Sequence, residues 1–212
     1  MIVTVGTTKG GSGKSTIALQ LSLGLLIMGR RVWLIDGDRQ RTSLTATTVR
    51  SMSNLPMLAA SAYDDGPTLR AQVLQQKGNY DDIVIDAGGR DSSALRAALT
   101  VSEKVLIPFC PRSFDVWALQ EISDLVRESR SIADLEALAF INKADAQGNE
   151  NRDAKAAIAD FPALQLLDVQ IGNRKVYADA CGQGRHVEEM PRRNPIACAE
   201  IDRLSNMIFN PS

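Results

Sequence analysis

The sequence predicts an α/β fold: a single doubly wound domain over residues 1–212, with a mostly parallel β-sheet flanked by helices. Three observations lead there. Short β-branched runs alternate with stretches of helical apolar spacing, the signature of repeated βα units. The runs are almost continuously apolar, as strands are when helices cover both faces of a sheet. And 212 residues with 44% hydrophobic content suit one domain with a sizeable core.

Taken in order, "MIVTV" is the first predicted strand, and a glycine-rich loop then opens a helix over 15–28. "RVWLID" is the second strand, and "PMLAA", with a weaker signal, is an edge strand. A helix over 67–76 leads to "YDDIVIDA", and a helix over 91–101 leads to "EKVLIPF". A helix over 113–129 precedes the strand "LEALAFIN", and one over 151–160 precedes a second edge strand, "ALQLLDVQI". The last predicted helix spans 195–209. Trp33 and Trp117 fall within strand and helix patterns and read as core, whereas the single histidine, His186, reads as a surface polar group.

Charge and cysteine usage narrow the function classes. A formal net charge of −1 excludes a globally basic nucleic-acid binder and leaves room only for a local basic patch. Cys110, Cys181 and Cys198 are odd in number and lack a C-x-x-C pair, which argues against a disulfide framework or zinc site and for a reducing, cytoplasmic setting. No stretch approaches the ~20 apolar residues of a membrane span.

The chemistry concentrates in "VGTTKGGSGKST". It lies between a strand and a helix, the context a phosphate-binding loop requires. Gly10, Gly11 and Gly13 let backbone N–H groups turn onto phosphates, and the helix N-terminus adds favourable partial charge. Lys14 is placed to reach the β and γ phosphates and Ser15 to ligate Mg²⁺. Strand ends supply carboxylates for the metal, Asp36 and Asp38 in "WLIDGD" and Asp86 in "IVIDAGG". Asp86 fits the Walker B role, Asp36 stands beside it as a further metal candidate, and Asp38 is the candidate for orienting the attacking water. Yet the loop departs from G-x-x-x-x-G-K-[ST]: Thr8 replaces the first glycine, and an additional lysine, Lys9, precedes Gly10.

"KGGSGKST", "VWLIDGDRQRTS", "DIVIDAGG", "KVLIPFCPRSFDVWAL" and "IGNRKVYADACGQGRHVEE", in that order over nearly the whole chain, together resemble the ParA family of partition ATPases. K-G-G-x-G-K-[ST]-T is the deviant Walker A motif of the wider ParA/MinD group. The resemblance implies one P-loop ATPase domain that forms an ATP-dependent sandwich homodimer, in which Lys9 reaches the nucleotide of the neighbouring subunit. It implies ATP and Mg²⁺ as cofactors and a slow hydrolysis stimulated by a ParB-like adaptor, with Lys9, Lys14 and Asp38 in catalysis. Ser12, Thr16, Asn142 and Arg174 join the loop glycines as nucleotide-binding candidates. It also implies non-specific DNA binding on the nucleoid, for which Arg185, Arg192, Arg193 and Arg203 are the candidate contacts, and no membrane recruitment. The chain departs from the family in reading Ala87-Gly88-Gly89 where Thr-Pro-Pro is usual. Two other readings share these residues. Asp86 to Gly89 fits D-x-x-G, and Asn142-Lys143-Ala144-Asp145 fits the guanine-reading N-K-x-D of a GTPase switch. A ParA-like protein can also position a protein cargo instead of DNA.

Overall fold

In the computed structural model, which describes residues 1–89, 91–111, 116–145 and 149–210, seven strands form one sheet whose six neighbouring pairs are all parallel. The elements run β1 (Ile2–Val5), α1 (Lys14–Ile27), β2 (Val32–Gly37), α2 (Thr42–Ser51), β3 (Ala59–Ala62), α3 (Gly66–Gln76), β4 (Asp82–Ala87), α4 (Ser93–Leu99), β5 (Lys104–Phe109), α5 (Val116–Ser129), β6 (Glu136–Ala144), α6 (Glu150–Ala157), β7 (Gln165–Gly172), α7 (Lys175–Gly182) and α8 (Pro195–Phe209). The strand order is β3-β2-β4-β1-β5-β6-β7, so the first strand lies at the centre and both predicted edge strands, β3 and β7, lie at edges.

Alternate residues of the central strands feed cores on opposite faces, as the two-residue period of a strand requires. Val3, Val5, Leu34, Val84, Leu106 and Phe140 pack with α1, α7 and α8. Ile35, Ile83 and Ile85 pack with α3 and α4, while Val105, Ile107, Ala139 and Ile141 pack with α5. Helix starts carry side-chain caps: Asp65 accepts the Thr68 amide before α3, Ser92 accepts the Leu95 amide before α4, and Asn194 accepts the Ala197 amide before α8. At the end of the sheet remote from strand C-termini, the Asp81 carboxylate takes the Arg31 amide at 2.8 Å and its guanidinium at 2.6 Å. The Arg31 carbonyl accepts the amides of Asp81 and Asp82 in return.

Two helices have no counterpart in the sequence reading, α2 and α7. The predicted helix over 113–129 is seen from 116 onward, and residues 113–115 lie outside the described ones. Two side-chain expectations are corrected. Trp117 is 85% exposed, because the buried stripe of α5 runs through Leu119, Ile122, Leu125 and Val126 and position 117 falls off it. His186 is not on the surface but 1% exposed. Its Nδ1 accepts the Glu188 amide and its own amide donates to Glu189, so it caps the turn Val187–Glu189. Burial pushes its pKa down and keeps the imidazole neutral.

Candidate functional site

The parallel sheet brings the carboxyl ends of β1, β2 and β4 together, and the register places Val5, Asp36 and Asp86 side by side. The glycine loop leaves β1 there and turns into α1. Gly13 occupies the N-cap of α1 with φ +89°, a left-handed conformation that costs a side chain roughly 1 kcal/mol. Space forbids one as well, since a Cβ on Gly13 would lie 2.3 Å from Asn142 Nδ2. That amide donates to the Ser12 carbonyl at 2.6 Å, and Lys143 Nζ donates to the Gly11 carbonyl at 2.8 Å. Asn142 and Lys143 thus brace the loop from β6 by its carbonyls.

The loop borders a cleft of about 920 Å³, within the range of small-ligand and cofactor sites. Gly10, Gly11, Gly13, Lys14, Ser15 and Thr16 line it on one side, and Asp38, Gly88 and Gly89 on the other. The Lys14 side chain is 7% exposed and donates to the Lys9 carbonyl at 3.0 Å. Lys9 itself sits half-buried on the loop. A Cβ on Gly89 would stand 3.0 Å from Lys14 Nζ, so a glycine there keeps the backbone within reach of whatever the lysine holds.

Charge in the cleft is under-compensated. Burial lowers the pKa of Lys14, against the opposing attraction of Asp86 and Asp38. Asp86 is pushed up to about 7, chiefly by burial and then by the Asp36 carboxylate, with the Ser15 and Ser43 hydroxyls and Lys14 pulling the other way. Neither Asp86 oxygen reaches a partner in hydrogen-bond geometry. Asp36 differs: one oxygen accepts Ser43 Oγ (2.8 Å) and the Leu44 amide (2.9 Å), and the other accepts the Asp38 amide (3.0 Å). Asp38 is partly exposed, with Oδ1 accepting the Gln40 amide. A buried, unpartnered carboxylate beside a buried ammonium and a helix N-terminus is a place that a cation and an anion are needed to complete.

The other sequence candidates fall elsewhere. Arg174 precedes α7 and pairs with Glu200 at 2.7 Å; it is not among the residues lining the cleft. Asp145 takes the Asn151 side chain on its backbone amide and carbonyl. Arg185 donates to the Glu189 carbonyl, Arg193 pairs with Glu188, and Arg203 pairs with Asp168. Arg192 and Arg193 border a separate open groove between α7 and α8. Sequence reasoning missed Ser43, Asn142 and Lys143 as supports of the loop and turn. The N-K pair was visible, but as a base reader.

Residues 1–131 match the family of the ATPase MipZ. The chain belongs to that family. This MipZ-family chain is similar to the maintenance of carboxysome distribution protein A of Halothiobacillus neapolitanus, 26% identical over 210 residues that cover 97% of this chain and 94% of that protein. Among solved structures, it resembles the complex of Cyanothece McdA(D38A) with ATP, with a TM-score of 0.78, 16% identity, and coverage of 97% of this chain and 95% of that one. It also resembles the septum site-determining protein MinD of Pyrococcus horikoshii complexed with Mg-ADP, with a TM-score of 0.74, 18% identity, and coverage of 99% and 96%. The fold is that of the ParA/MinD group of P-loop ATPases, and in this chain Asn142 and Lys143 of the N-K-x-D run donate to carbonyls of the glycine loop. Among the described residues no group of three or more His, Cys, Asp and Glu is arranged to hold a metal by itself, and no helix is long and apolar enough to cross a membrane.

Proposed function

We propose that this ATPase is a Mg²⁺-ATP-dependent switch that pairs with a second copy when ATP is bound, binds DNA without sequence preference, and partitions DNA with a ParB-like adaptor that stimulates hydrolysis. The observation that carries it is the unpartnered, buried Asp86 beside Lys14 on a loop with two lysines. Ser15, and Asp86 through water, are the groups to hold Mg²⁺, with Asp36 behind them fixing the turn. Magnesium there supplies charge neutralisation on the phosphates. Such a cation keeps several waters and phosphate oxygens among its ligands. Gly10, Gly11, Ser12, Gly13 and Thr16 give the loop its phosphate contacts, Lys14 binds the chain's own β and γ phosphates, and Asp38 orients water.

Lys9 belongs to the neighbour. Lys14 already takes the inner position, and a second ammonium beside the same phosphate is repelled by it. A cation donated across the interface ties pairing to the triphosphate, and hydrolysis then removes part of the charge that holds the pair. Sedimentation tests this. Lys9→Ala is expected to keep nucleotide affinity within about threefold while losing dimerisation with a non-hydrolysable ATP analogue. A Lys9→Ala protein that dimerises like the wild type ends the cross-subunit role.

A second reading is favoured by the similarity to a carboxysome distribution protein over nearly the whole chain: the cargo is a protein assembly carried over the nucleoid. Deleting the gene and scoring plasmid or chromosome loss against clustering of tagged assemblies separates the two.

A further inference from the structure

One helix joins the nucleotide cleft to the basic turn after α7. The start of α2 is tied to the Asp36 carboxylate through Ser43 Oγ and the Leu44 amide. The same carboxylate holds the Asp38 amide. The end of α2 is tied by Arg50, whose side chain is 1% exposed. Its guanidinium forks onto Glu189, at 2.8 Å to Oε2 and 2.9 Å to Oε1, and also donates to the carbonyls of Gly184 (2.9 Å) and Pro56 (2.7 Å). The backbones meet so closely that a Cβ on Gly184, where φ is +62°, would fall 2.4 Å from the Ala46 carbonyl oxygen and 2.6 Å from the Arg50 amide.

Stability alone is a weak explanation for such a pair. A buried ion pair is commonly no better than an apolar replacement of similar volume, whereas a bidentate fork fixes position and orientation. The sequence of α2, "TSLTATTVRS", is rich in threonine and a poor intrinsic helix former. Its place is therefore set by tertiary contacts, with Ala46 in the core between anchors to Asp36 at one end and to Glu189 at the other. The far anchor is continuous with the surface turn, since Glu189 also accepts the His186 amide and the adjoining Glu188 pairs with Arg193.

We propose that Arg50 is a positioning residue for ATP turnover: with Glu189 it pins the end of α2, and α2 in turn holds the Asp36–Asp38 turn in its working geometry while linking that turn to residues 184–194. Neither Arg50 nor Glu189 lines the cleft, so the effect runs through the helix. The link is reciprocal, and a nucleotide that moves the Asp36–Asp38 turn alters residues 184–194. The inference rests on the assignment of Asp38 to water positioning.

Arg50→Lys keeps the charge and loses the fork, and Glu189→Gln keeps one acceptor. For each, thermal melting, KM and kcat for ATP, and hydrogen exchange of residues 184–194 with ADP and with a non-hydrolysable ATP analogue are to be measured. Both variants are expected to fold and keep KM within about threefold, yet lose about tenfold or more in kcat. The exchange difference between the two nucleotides, expected in wild type, disappears in both variants. A folded variant of either kind with wild-type kcat overturns the proposal, as does a wild-type protein with the same exchange at 184–194 in both nucleotides. A parallel loss of folded fraction, KM and kcat also overturns it, because that pattern marks a purely structural pair. Asp38→Ala run alongside separates the premise: wild-type turnover there removes Asp38 from water positioning and leaves the exchange result standing on its own.

Discussion

Asp86 shows how a single side chain trades stability for binding. Its carboxylate is buried, lacks a hydrogen-bond partner and has a pKa pushed up to about 7, well above the ~3.9 of an unfolded chain. The sign follows from linkage: the folded state holds this proton more tightly, so the contribution of this group to stability is fully present below about pH 4 and is lost as pH rises through about 7. Asp86→Asn removes the buried charge. It is expected to raise the stability of the nucleotide-free protein at pH 8 by about 1–2 kcal/mol, while abolishing the rise in melting temperature that Mg²⁺ and ATP give the wild type. Differential scanning fluorimetry with and without nucleotide checks both halves, and an unchanged nucleotide response in the variant would remove Asp86 from the metal site.

At the scale of elements, the pairing of Asp81 with Arg31 staples the starts of β2 and β4. The Arg31 side chain, followed by its backbone amide, holds Asp81 down to about 2. A carboxylate lowered in the folded state contributes above its unfolded pKa, and that contribution is lost as pH falls from about 4 through about 2. Asp81→Asn should therefore lower stability modestly at neutral pH and flatten the acid limb of the unfolding curve between those values, the variant and the wild type converging below about pH 2. The pair is exposed, so added salt should shrink the difference. What the sequence made legible here follows from period and punctuation. The five inner strands are legible as apolar runs and the edge strands more weakly, with β3 falling at Ala59–Ala62 where "PMLAA" carries the signal, and the prolines at 67 and 195 mark helix starts. The loop and its aspartates were visible because glycine and strand-end carboxylates are read locally. α2 was not, since threonine-rich "TSLTATTVRS" is placed by contacts with Asp36 and with Glu189, the latter 139 residues from Arg50. Trp117 and His186 were misplaced for the same reason: burial is decided by neighbours distant in sequence.

For the whole molecule, the net charge of −1 makes any DNA affinity depend on how few arginines are gathered on one face. Arg185, Arg193 and Arg203 already have partners within the chain, and Arg192 and Arg193 share the rim of the open groove. Pairing two copies doubles such a patch. The affinity for random duplex, measured by fluorescence anisotropy, is accordingly expected to be tighter with an ATP analogue than with ADP and to fall steeply with salt. Arg192→Glu with Arg193→Glu should weaken binding about uniformly across sequences and shallow the salt slope. DNA binding indifferent to nucleotide and salt would discard the partition reading.

The central position of β1 also sets a timetable for biosynthesis. Its neighbours are β4 and β5, and α1, with most of its residues buried, packs against α7 and α8. While the ribosome is still making the middle of the chain, the strand emerges with neither neighbour and the helix with its apolar surface uncovered. Pairing between segments so far apart in sequence is slow, and the wait exposes strand edges and apolar faces to aggregation. The glycine loop and α1 are thus synthesised well before the segments that enclose them, and a nascent chain stalled before Pro195 leaves Leu19, Leu23 and their neighbours on α1 without the cover of α8.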